Sequence, residues 1–300
     1  MTQTTHQRLD TLLVIALGDQ LCTLLKDPDL VELMLNPDGK VFVERLSSGK
    51  TDTGSRITSQ SAENIIKLVA ASKGLEVTAD TPEVAAEMKS FQVRFQGWLP
   101  PVVTAATFTM RKKAQRIFSL QDYVTAGTLT PETCAVLQDA IRSKKNILVA
   151  GGTSSGKTTF TNALLAELNH TNERILLLED LPELQVDAPD IVRLQTTPTI
   201  SLRHLLRGAL RMRPDRIIIG EVRDGAALDL LKAWNTGHPG GLCTIHANSA
   251  EQTIARLIQL IEEVSTTVPH HLIQEAVQVI VYLERDETGR RSVKTVQETI

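Results

Sequence analysis

The sequence predicts an α/β protein in two parts: a small α+β N-terminal domain, then a larger domain built on a mainly parallel sheet. Three observations predict this. From about residue 126, short continuous apolar runs alternate with helical patterns, the rhythm of parallel strands covered by helices on both faces. Before residue 110 the order is helix, hairpin, helix and strand-like run instead. The length, 300 residues of which 42% are hydrophobic, points to two domains on its own. The expected limits are 1–110 for the first domain, 111–125 for a linker and 126–300 for the second.

Each element has a local reason. Residues 9–25, "LDTLLVIALGDQLCTLL", carry apolar residues at helical spacing. "VELMLNPDGKVFVERLSSGK" alternates apolar and polar residues around Pro37, Asp38 and Gly39, which predicts a hairpin turning at the Asp-Gly pair. "SAENIIKLVAASKG" (61–74) reads as an amphipathic helix capped by Ser61 and ended near Gly74. "FQVRFQGWLPPVVTAATFTMRKK" is strand-like, with interruptions at Gly97 and at Pro100-Pro101. Trp98 in this run is either core packing or a face that meets a neighbour. Thr130-Pro131-Glu132 starts a helix with a hydroxyl cap and proline at the first helical position. "NILVAG" (146–151), "RILLLED" (174–180), "DRIIIGEV" (215–222) and "GLCTIHAN" (241–248) are buried strands, and "KTTFTNALLAELN" is a helix. "SLRHLLRGALRMRPD" (201–215) is a helix capped by Ser201, with Leu202, Leu205, Leu206, Ala209 and Leu210 on its buried stripe. His270-His271, after Pro269, mark one more helix start.

Composition narrows the function. The net charge of −3 gives no global attraction to nucleic acid or to an acidic membrane. Aromatics are 3% of the chain, too few for a stacking platform along a single strand. Cys22, Cys134 and Cys243 stand far apart, without the spacing of a disulfide frame or a zinc site. No apolar run reaches the roughly 18 residues of a membrane span. "MTQTTHQRLD" lacks the basic start and apolar middle of a secretory signal. The expected location is the cytoplasm, with docking on a membrane complex from the inside left open.

The chemistry centres on "GGTSSGKTTF" (151–160), between a predicted strand and a predicted helix. Gly151-x-x-x-x-Gly156-Lys157-Thr158 fits a phosphate-binding loop in its proper context. The stretch Gly151, Gly152, Thr153, Ser154, Ser155, Gly156 turns backbone N–H groups toward an anion, Lys157 neutralises phosphates, and the Thr158 hydroxyl can ligand Mg2+, with Thr159 beside it. The expected ligand is a nucleoside triphosphate. Glu221 ends a buried strand where ligands of open α/β sheets bind, placed to polarise water or hold the metal through water. Glu179, at the end of "ILLLED", is a second candidate, and Asp180 a weaker third. Arg203, Arg207 and Arg211 share one helix face, either solvated or aimed at a nucleotide or a neighbouring subunit. His238 and His246 flank a Gly-Gly pair, and one of them could report the γ-phosphate through hydrogen bonds.

Four stretches, "GGTSSGKTT", "LLLEDLPEL", "LRMRPDRIIIGEVRDGAA" and "NTGHPGGLCTIHANSA", occur in that order over roughly residues 145–250. Together they resemble the Walker A loop, Asp box, Walker B and His box of the traffic ATPases of type II and type IV secretion. "VELMLNPDGKVFVE", "GWLPPVV" and "FTMRKK" resemble the TrbB-type ATPases of conjugative transfer. The resemblance implies a RecA-like second domain, ATP and Mg2+ as cofactors, ATP bound between the two domains, and Glu221 in catalysis with His246 coupling nucleotide state to the fold. It implies that Arg111 reaches the nucleotide, that subunits form a hexameric ring, and that the partners are inner-membrane components of a conjugative apparatus. Pilus retraction enzymes share the four boxes and stand as an alternative; the pilus extension enzymes' tetracysteine insert is missing here. A DNA-stimulated helicase-like motor would rest on Arg111-Lys112-Lys113 and the arginines of 203–213. A scaffold that binds ATP with little hydrolysis is disfavoured by Glu221.

Overall fold

In the computed structural model, residues 3–112, 117–197, 199–286 and 291–298 are described. The chain divides into two compact units, Met1–Gln115 and Arg116–Ile300.

The first unit contains helix α1 (Gln3–Lys26), strands β1 (Leu30–Leu35), β2 (Lys40–Arg45) and β3 (Gly49–Arg56), and helix α2 (Ser59–Ser72). Strands β4 (Glu83–Met88), β5 (Val93–Trp98) and β6 (Thr107–Lys112) follow. Its six strands lie in the order β3-β2-β1-β6-β5-β4, with every neighbouring pair antiparallel. Alternation sets the two faces. Leu33, Val43, Phe95 and Met110 pack with Leu17 and Leu21 of α1 and Ile65 and Ile66 of α2. On the opposite face one register row is charged on every strand: Lys50, Glu44, Glu32, Arg111, Arg94, Glu87. Burial pushes the Glu32 carboxyl up, and the facing Arg111 draws it back down.

The hairpin turns at 36–39 as the alternation predicts, with Gly39 N–H donating to Asn36 O at 2.9 Å. Helix α2 is capped three residues earlier than expected. Thr58 is its cap, and Ser61 is the residue whose N–H the Thr58 hydroxyl accepts. Gly97 lies inside β5 and does not interrupt it; the segment 99–106, which holds the two prolines, separates β5 from β6. Trp98 is half-buried and alternates away from Phe95 and Leu99, outside the core.

The second unit contains α3 (Leu120–Thr125), α4 (Pro131–Arg142), β7 (Ile147–Gly151), α5 (Lys157–Ala166), β8 (Arg174–Glu179) and β9 (Asp190–Gln195). It continues with α6 (Leu202–Ala209), β10 (Arg216–Val222), α7 (Ala226–Asn235), β11 (Leu242–His246), α8 (Gln252–Glu262), α9 (His270–Ala276), β12 (Val279–Arg285) and β13 (Arg291–Glu298). The strand order is β13-β12-β7-β11-β10-β8-β9, parallel throughout except for the β12–β13 hairpin. Residues along each central strand alternate between two cores. Leu148, Leu176, Ile217 and Cys243 meet α6 to α9, while Ile147, Ile175, Ile218 and Leu242 meet α3, α4 and α5. Helices therefore cover both faces, as the buried apolar runs predict.

Three local readings differ from expectation. Of the stretch 111–125, Arg111 and Lys112 belong to β6 and 120–125 form α3, closed by a capping box between Ser119 and Asp122; residues 113–116, Lys113 among them, lie outside the described residues. Helix α6 stops at Ala209, so Leu210 is 39% exposed and leaves the stripe. Strands β3, β4, β9 and β13 had no sequence signal of their own. Among the described residues no helix is long and apolar enough to cross a membrane.

Candidate functional site

Strand β7 runs through the middle of the sheet and ends at Gly151, where the chain turns toward α5. A Cβ at Gly151 would stand 2.5 Å from Leu283 O and 2.5 Å from Ser155 Oγ, so the loop closes only around glycine. Ser154 (φ 58°) and Gly156 (φ 95°) take left-handed conformations, and Gly156 is the N-cap of α5 without a side-chain cap of its own. Successive backbone amides around such a loop, continued by a helix N-terminus, make an anion-binding concavity.

The side chains agree with an anion site. Lys157 folds back, its Nζ donating to Gly151 O and Gly152 O at 2.9 Å each. Ser155 is 2% exposed, yet its hydroxyl has no hydrogen-bond partner. A buried polar atom left unpaired costs about 1–3 kcal/mol, so this orphan marks a position a ligand oxygen would complete. Thr153 is exposed, while Gly152 and Thr159 are half-buried beside it.

Thr158 introduces a residue the sequence reading passed over. Its hydroxyl donates to Glu183 Oε2 at 3.1 Å. Glu183 reaches that position because Glu179 organises the segment before it. The Glu179 carboxylate is 4% exposed, and its Oε1 accepts the N–H groups of Glu183 and Leu184 at 2.8 Å each. Burial holds the Glu179 carboxyl above its usual range despite these two hydrogen bonds. Asn162 of α5 fastens the same segment, donating to Glu183 O at 3.2 Å and accepting Gln185 N–H at 2.8 Å. The signal for Glu183 was its place four residues after Glu179 within "LLLEDLPEL".

At the end of β10, Glu221 is half-buried and accepts the Arg223 Nε–H at 2.6 Å. Arg223 also stands 3.9 Å from Asp180, whose other oxygen accepts the Thr196 hydroxyl. A Cβ at Gly220 would lie 3.2 Å from Glu179 Cγ, so the bare residue before Glu221 makes room for the buried glutamate. His246 ends β11 in register with Gly151, and the next residue, Ala247, donates its N–H to Gly151 O at 3.4 Å. It lines a cavity of about 590 Å³ with Asn248, Gln252 and Arg256. His238 is elsewhere: its Nδ1 lies 3.1 Å from Pro214 O, just before β10 begins and away from the strand ends that carry the loop. The arginine face divides too. Arg203 donates to Asp229 at 2.6 Å and Arg207 lies 3.7 Å from the same carboxylate, while Arg211 falls beyond the helix. Arg111 sits in the first unit, in register between Glu32 and Arg94.

A central parallel strand, a glycine-cleared loop and a helix opening on Lys157 and Thr158 define a P-loop protein. The profile of the family described as "Type II/IV secretion system protein" matches residues 79–297. The chain belongs to this family. It is 47% identical over 294 residues to a probable conjugal transfer protein TrbB of Sinorhizobium fredii, covering 97% of this chain and 90% of that one. It is 31% identical to the type IV secretion system protein VirB11 of Bartonella henselae, covering 88% and 85% respectively. Among solved structures, the VirB11 ATPase of the Brucella suis type IV secretion system, crystallised with sulphate, superposes with a TM-score of 0.52 at 27% identity, over 99% of this chain and 97% of that one.

Proposed function

We propose that this chain is an ATP-hydrolysing motor of a conjugative type IV secretion apparatus. The observation that carries the reading is the loop 151–158, a backbone cradle with an orphan buried hydroxyl at Ser155 and an oxygen pair, Thr158 and Glu183, at its mouth. The relatives' names, conjugal transfer and type IV secretion, set it ahead of the pilus-retraction alternative. The matched family and the VirB11 ATPase likeness support ATP as the nucleotide.

The residues divide the work as follows. The backbone of 151–156 wraps the β- and γ-phosphates, and Lys157 exchanges its two carbonyl partners for phosphate oxygens. Thr158 and Glu183 supply hard oxygen donors of the kind Mg2+ takes beside substrate phosphates. When bound, that ion neutralises charge on the phosphates. Glu221, released from Arg223, orients the attacking water and accepts its proton. Glu179 acts through Glu183 and is a positioning residue. His246, one backbone pair from Gly151, couples the loop to β11 and α8.

Subunits assemble as a hexameric ring on the cytoplasmic face of the inner membrane, against components of the apparatus, with the two compact units, Met1–Gln115 and Arg116–Ile300, serving as N-terminal and ATPase domains. One preparation tests this. Purified wild type hydrolyses MgATP and gains mass as a ring with it. Lys157→Ala and Glu221→Gln each lower kcat by about 10²-fold or more. Full turnover in either variant removes the role assigned to that residue, and a monomer at every nucleotide condition removes the ring.

A further inference from the structure

The last strand of the sheet returns to the phosphate loop. Strand β12 runs parallel to β7 and sets Leu283 in register with Gly151. Strand β13 comes back antiparallel along it and opens with Arg291. The Arg291 Nε–H donates to Ser154 O at 3.0 Å. A Cβ on Gly156 would stand 3.2 Å from Arg291 Cδ, so the arginine stem lies against the bare face of that glycine. One side chain from the far end of the sequence therefore touches both left-handed residues of the loop, 154 and 156. Its charge also reaches Tyr123, whose phenol burial pushes up and Arg291 draws down. Tyr123 stands edge-on to Phe160 in the first turn of α5, with ring centroids 5.1 Å apart.

We propose that Arg291 is a positioning residue for phosphate binding, acting within its own chain. In a trans peptide the carbonyl and the following N–H point opposite ways. Holding Ser154 O from outside turns the Ser155 N–H across the loop, where it lies 3.4 Å from Gly152 O. The stem, packed on Gly156, keeps the helix N-terminus from shifting under the loop. The left-handed Ser154, costly for a residue with a Cβ, is thereby held ready before phosphate arrives. Arg291 needs no contact with the ligand to do this. The role ties the C-terminal hairpin to the nucleotide site, a link that "GGTSSGKTT" alone does not contain.

The inference rests on reading 151–158 as a triphosphate site. Its test is ATP and ADP affinity by calorimetry on the full chain, for wild type, Arg291→Met and Arg291→Lys, with melting temperatures recorded without nucleotide. Methionine keeps the packed stem and loses the donor; lysine keeps a charge and a donor. Arg291→Met should weaken both nucleotides about tenfold and Arg291→Lys about threefold, with KM for ATP rising by the same factors while kcat holds. Both should melt within about 2 °C of wild type. Wild-type affinity in Arg291→Met overturns the proposal. So does an equal affinity loss in both variants accompanied by a lowered melting temperature, since that is a general structural defect. Absence of ATP binding in the wild type itself would instead sink the reading of the site.

Discussion

Glu179 spends its carboxylate on the backbone of residues 183 and 184, and the consequence is testable. An amide oxygen can accept the same two N–H groups without the cost of a buried charge. Glu179→Gln should therefore keep both fold and turnover, whereas a water-activating acid would lose activity on the same change. Glu179→Ala strands the two donors and should destabilise by about 1–3 kcal/mol for each one left buried. Denaturant unfolding and ATP turnover of the two variants check this. The sign of the pH dependence follows from the raised carboxyl. Its favourable contribution is complete below the ordinary glutamate range and is lost as pH rises through the higher folded value. The stability of wild type relative to Glu179→Gln should thus fall with rising pH over that window. At this scale the strand, the glycine-cleared turn and the helix of 146–166 were legible, because residue types and spacing alone dictate them. Glu183 was not, because its position depends on a turn that Glu179 and Asn162 hold together across separate elements.

Helix α6 illustrates what periodicity conveys and where it stops. The interval of Arg203, Arg207 and Arg211 is helical in sequence, but the helix ends at Ala209. Asp229 of α7 holds the first two arginines, and Arg211 has left the face. Asp229→Ala should cost about 1–2 kcal/mol, the range for a hydrogen bond to a charged partner at a partly exposed site. Arg211→Ala should stay within about 0.5 kcal/mol of wild type. Chemical denaturation of the two variants separates them, and equal effects would contradict the division of the face. The same logic explains which strands were readable. β7, β8, β10 and β11 are buried on both faces and read as continuous apolar runs. β3, "GKTDTGSR", and β13, "RSVKTVQE", lie at sheet edges, half solvated, and carry no apolar signature. The capping box at Ser119 was present in the sequence, yet the lack of a sustained apolar period before it made 111–125 read as a linker.

At the scale of the molecule, each unit has its own sheet and its own core, and the second splits its strand residues between two cores. The parallel pairing of β7, β11, β10 and β8 brings their carboxyl ends to one edge, and the loop, Glu183, Glu221 and His246 all follow from those ends. Family membership and fold were legible because four ordered motifs lie at those same strand ends. The contacts of Glu179, Glu183 and Arg291 needed the folded chain. The central claim is that the loop 151–158 grips a triphosphate. Calorimetric titration of MgATP into the full chain tests it most directly. The account predicts a saturable heat of association in the wild type that Lys157→Ala abolishes. No heat with any adenine or guanine triphosphate, or an undiminished heat in Lys157→Ala, would contradict it.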